Sequence, residues 1–83
     1  MASGMLVELN NRERATLRAV AEGRVEITCS SEPDLYVDGL PLCDQATARR
    51  LVHGGLLGPA RTDDLGSRVP AVLTGEGAVR LGT

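Results

Sequence analysis

Glycine-bearing stops cut this chain into pieces that each hold one short helix or strand, and they limit its fold more than any other feature. Gly23, Asp38-Gly39, Gly54-Gly55 and Leu65-Gly66 interrupt the apolar pattern in turn. Glycine enters positive φ without steric cost, so helices end there and hairpins turn there. In 83 residues such pieces build one small α+β domain, and a second independent core is excluded by length. That core is necessarily aliphatic, because the chain has one Tyr and no Phe or Trp. A partner, a second copy included, is expected to add stability to so small a core.

The spacing predicts a helix over residues 11–22. Asn10 is the N-cap and Glu13 completes a capping box, while Leu17, Val20 and Ala21 form the apolar face and Gly23 closes the helix. RVEITCS, residues 24–30, alternates as a strand with Val25, Ile27 and Cys29 inward. Leu35-Tyr36-Val37 then meets Asp38-Gly39, a type I′ hairpin signal, and Pro41 keeps the returning arm short. A second helix spans residues 44–53, with Asp44 as N-cap or first-turn acid and Ala48, Leu51 and Val52 buried. Residues 57–73 read as another hairpin whose tip is TDDLGS, with Val69, Ala71 and Leu73 inward. Thr74 caps a short last helix over residues 75–81, weakened by Gly77 and returning Val79 to the core. The expected order is α-β-β-α-β-β-α in a single domain spanning residues 1–83, with residues 1–8 as a flexible or non-native lead.

Composition removes several function classes. No apolar run approaches the roughly 18 residues that span a bilayer, and the N-terminus lacks a secretion signal, so a cytoplasmic location is expected. Cys29 and Cys43 are too few for a disulfide framework and read as reduced. The only conceivable metal set is Cys29, Cys43, His53 and a carboxylate, which lacks the paired spacing of zinc ligands, so no metal or other cofactor is expected. There is no nucleophile elbow, no phosphate-binding glycine loop and a single His, so catalysis is not expected.

The second half carries a resemblance. Leu51, then Gly55-Leu56-Leu57, then the hairpin from Arg61 to Arg68, then Val72-Leu73-Thr74, Gly77 and Leu81 resembles the back half of a winged helix-turn-helix domain, over about 35 residues. A strand and an Asp-Gly hairpin stand where such domains carry their second helix, so the chain resembles a winged-helix variant. In style it is also similar to small arginine-only proteins of actinobacteria. The resemblance implies a regulator or accessory factor binding double-stranded DNA, with Gln45, Thr47, Arg49, Arg50 and His53 facing the major groove and Arg61 and Arg68 over phosphates. These residue types suit base edges and phosphates. The net charge of −2 splits into −3 over residues 1–40 and +1 over residues 41–83, so the basic half is the half that would touch DNA. The alternative is a non-enzymatic protein-interaction module on the same scaffold. Its candidate surface is the acidic stretch from Glu32 to Gly39, with Leu35, Tyr36 and Val37 as contacts and a homodimer as one form of partner.

Overall fold

A computed structural model describes residues 9–82, so the expectation for residues 1–8 lies outside the described chain. Helix α1 (Asn11–Ala21) opens with the reciprocal capping box that the sequence predicts. Asn10 Oδ1 accepts from the Glu13 N–H at 2.7 Å, and Glu13 Oε1 accepts from the Asn10 N–H at 3.0 Å. Its buried residues are Thr16, Leu17, Ala19 and Val20, whereas Ala21 is exposed. The stripe is therefore rotated toward Thr16, whose hydroxyl becomes tolerable inside by donating to the Arg12 carbonyl at 2.9 Å. Gly23 takes φ 78° just beyond the C-cap Glu22.

The next segments are strands β1 (Val25–Thr28), β2 (Leu35–Val37) and β3 (Leu40–Pro41). Both turn residues between β2 and β3, Asp38 at φ 53° and Gly39 at φ 84°, have the positive φ that a type I′ turn requires. Helix α2 (Gln45–His53) follows, with Asp44 as its N-cap. Strands β4 (Leu57–Pro59) and β5 (Arg68–Leu73) and helix α3 (Gly75–Leu81) complete the chain. The fold is a small α+β domain in which the expected order gains one strand, because the short returning arm of the Asp-Gly hairpin, Leu40–Pro41, pairs with β2 as a strand of its own.

All neighbouring strands are antiparallel, in the order β3-β2-β1-β5-β4. The chain thus places β1 in the centre, where it joins the two hairpins into one sheet. Alternation then sorts the side chains. Val25, Ile27, Leu35, Leu57, Val69 and Ala71 point inward and join Leu17, Val20, Ala48, Leu51 and Leu81 in one core. Leu73 and Val52 are only half-buried against it. The opposite face holds Glu26, Thr28, Tyr36, Pro70 and Val72, all exposed or half-buried. Register sets Glu26 between Tyr36 and Pro70, with Pro41 beyond Tyr36, so these four form a row across the face that carries no helix among the described residues.

Helix α3 docks where its sequence is weakest for a helix. Gly77 is buried against the chain at Leu56, and a Cβ there would stand 1.8 Å from the Leu56 carbonyl oxygen. The Thr74 hydroxyl caps the helix by accepting from the Gly77 N–H at 3.0 Å, and it donates to the Gly55 carbonyl. Val79 is 73% exposed, contrary to the expectation that it returns to the core; Leu81 and the backbone at Gly77 make that contact instead. Among the described residues no helix is long and apolar enough to cross a membrane.

Candidate functional site

Helix α2 is the element that the sequence singles out for DNA, and its side chains are largely engaged within the chain. Gln45 lies in the first turn, beside β2. Its Oε1 accepts from the Leu35 N–H at 3.1 Å, while Nε2 donates to the Leu35 carbonyl at 3.2 Å and to the Leu42 carbonyl at 2.7 Å. The amide thus imitates a strand partner for Leu35 and ties α2 to the β2–β3 hairpin. Thr47 is 1% exposed and its hydroxyl donates to Asp44 Oδ2 at 2.7 Å. The expectation that Gln45 and Thr47 face a groove is corrected by these contacts. Both amide and hydroxyl satisfy groups that folding would otherwise leave unpaired.

The two arginines of α2 are paired with carboxylates from elsewhere in the chain. Arg49 reaches the loop before β2, where a terminal nitrogen donates to Asp34 Oδ1 at 3.0 Å and Nε stands 3.4 Å from Glu32 without a hydrogen-bonding angle. Arg50 bridges to α1, with Nε 3.4 Å from Glu13 Oε2, and it also donates to the Thr47 hydroxyl at 3.0 Å. His53 is exposed in the last turn, where a cation suits the helix dipole. Among the described residues six of the nine arginines, residues 12, 24, 49, 50, 68 and 80, sit within 4.0 Å of a carboxylate.

The N-cap of α2 has an altered acidity. The Thr47 hydroxyl, then the Thr47 N–H, then Arg12 stabilise the Asp44 carboxylate and hold it well below the usual carboxylate range. Hydrogen bonds from Arg24 likewise depress Asp38 in the β2–β3 turn and raise the Arg24 guanidinium. These groups are structural ties at a cap and a turn.

The hairpin after α2 offers less basic surface than its sequence suggests. Arg61 is exposed at the start of its loop with no ion pair among the described residues, and Asp63, Asp64 and Leu65 at the tip are exposed too. Arg68 turns back over the open face of the sheet, its guanidinium 4.3 Å from the centre of the Tyr36 ring and 4.0 Å from Glu26. Of the interaction candidates, Leu35 is fully buried and is corrected to a core residue, Val37 is half-buried on the inward side, and Tyr36 alone stands on the open face.

Sequence spacing gives no sign of the Tyr36–Arg68 stack or of a cavity of about 250 Å³ between the end of β1, α2 and the start of the β4–β5 loop. Ile27, Pro33, Val52 and Pro59 wall the cavity, and Cys29 and Asp63 also line it. Both features join residues more than twenty positions apart. Cys29 and Cys43 are free thiols, and among the described residues no group of three or more His, Cys, Asp or Glu is placed to hold a metal. Comparison with family models, with curated proteins and with solved structures returned no match.

Proposed function

We infer that this chain is a non-enzymatic protein-interaction module that receives its partner on the open face of the sheet. The observation that carries this reading is the row Pro41, Tyr36, Glu26 and Pro70, apolar except at Glu26, on a face without a helix among the described residues. Tyr36 and Arg68, stacked at its centre, are of the residue types that concentrate binding energy in protein interfaces. Val72 adds exposed apolar surface next to Pro70 on the same face. A homodimer through this face is one form of the same reading, and a cytoplasmic setting accords with two free thiols.

The test places a photo-crosslinking residue at position 72, on that face, or at position 79, on the solvent side of α3, in cells that make the protein. Capture of one discrete partner from position 72, absent from position 79 and lost with Tyr36→Ala, is the expected result. Equal capture from both positions, or capture indifferent to Tyr36→Ala, overturns it. Binding of double-stranded DNA, as a winged-helix regulator or accessory factor, is the second reading. It is favoured by the β4–β5 hairpin following α2 directly and by Arg61 at its loop, which has no ion pair among the described residues. Pairing of Arg49 and Arg50 with carboxylates leaves it the weaker, since phosphate neutralisation supplies most non-specific affinity. A salt-sensitive mobility shift of duplex DNA that Arg61→Ala abolishes would put it first.

A further inference from the structure

The cavity beside α2 has a composition that selects its occupant. Its walls are aliphatic, from Ile27 on β1, Pro33 in the following loop, Val52 on α2 and Pro59 on β4. Thr28, Ser30 and Thr62 also line it, and Asp63 is the one charged residue in the lining. Asp63 Oδ1 accepts from the Asp64 N–H at 2.7 Å, and no arginine stands within ion-pair distance of either carboxylate among the described residues. At about 250 Å³ the space falls below the usual range of drug-sized pockets and suits one short apolar stem.

We propose that this cavity binds an organic cation carried on a short aliphatic stem, the stem against Ile27, Val52 and Pro59 and the cation at Asp63. The stem loses water against the apolar walls, and the cation meets the only charge that lines the site. An anionic ligand would face the Asp63 charge unpaired by any arginine among the described residues, and a neutral one would gain nothing from that charge. Free alkylamines and the side chain of a lysine share this chemistry. The site lies away from the Tyr36 row, so it stands or falls independently of the proposed protein-docking face.

Cys29 lines the cavity and Cys43 does not, which supplies a reporter and its control in one molecule. Alkylation of each thiol by iodoacetamide is followed by mass spectrometry with n-butylammonium, with n-butanol and with the amide of N-acetyl-lysine, at fixed pH and ionic strength. The cation is expected to slow Cys29 several-fold at concentrations where the alcohol acts weakly, with the Cys43 rate unchanged. Asp63→Asn, an exchange in an exposed loop, is expected to reduce the amine to the level of the alcohol. Stronger protection by the lysine amide than by butylammonium identifies a protein side chain as the better source, and the reverse order identifies a free amine. Equal protection by amine and alcohol, persistence of the difference in Asp63→Asn, or no selective protection of Cys29 overturns the proposal.

Discussion

Gln45 stands with Arg49 and His53 at i+4 spacing, on the side of α2 opposite its apolar stripe. On that spacing alone the amide belongs to solvent or to a ligand. Its three hydrogen bonds to Leu35 and Leu42 instead stitch the helix to a hairpin ten residues earlier. Gln45→Ala is expected to unpair backbone groups at Leu35 and Leu42 that are partly shielded from water, at a cost of about 1–3 kcal/mol. Urea unfolding measures it, and an unchanged midpoint would mean that water takes over those bonds freely. The sequence could not have disclosed this contact. A side-chain amide shows its spacing within a helix but not the strand that folding brings beside it, and the carboxylates that occupy Arg49 and Arg50 are hidden for the same reason.

Elements whose signals are local were legible. The Asn10–Glu13 box, the Asp38-Gly39 turn, the Asp44 and Thr74 caps and the alternation of β1 all rest on neighbours within a few residues, and each lies where the spacing puts it. What failed depended on how an element is rotated against the others. Thr16 and Ala19 face the core in place of Ala21, and α3 meets it through Gly77 and Leu81 while Val79 points away. Gly77 shows why. Read as a weakness in the helix, it is the position where α3 approaches the Leu56 backbone too closely for any side chain. Gly77→Ala should therefore destabilise the protein by about 1–3 kcal/mol despite the better helix propensity of alanine. Thermal unfolding reads the sign directly, and a raised Tm would show that α3 can shift outward at no cost.

On the scale of the whole molecule, the depressed acidities of Asp44 and Asp38 become a response to pH. A carboxyl whose folded pKa lies below its unfolded value, about 3.9, stabilises the fold fully above that value. The contribution is lost as pH falls toward the folded pKa, because the unfolded chain then binds the proton more tightly. Stability attributable to these two groups is thus expected to stay level from pH 7 to 5 and to decline below about pH 4. The Asp38→Asn/Asp44→Asn double variant should begin less stable at neutral pH and decline less steeply in acid, as followed by denaturant midpoints at each pH. Parallel curves for variant and parent would assign the acid loss to other carboxylates. The α+β class was legible at this scale because the helix and strand signals alternate clearly. The strand order was not, since the β1–β5 ladder joins residues some forty positions apart.

The two ends of that strand order share a detail. β3 and β4 are the margins of the sheet, and each includes a proline, Pro41 in one and Pro59 in the other. Proline brings no N–H to a ladder, and these border strands are only two and three residues long. A foreign strand arriving at either border finds too few donors and acceptors to extend the sheet. The described residues can therefore leave one broad side of the sheet uncovered without offering a template for end-on polymerisation, and a visitor to that side has to bind by its side chains.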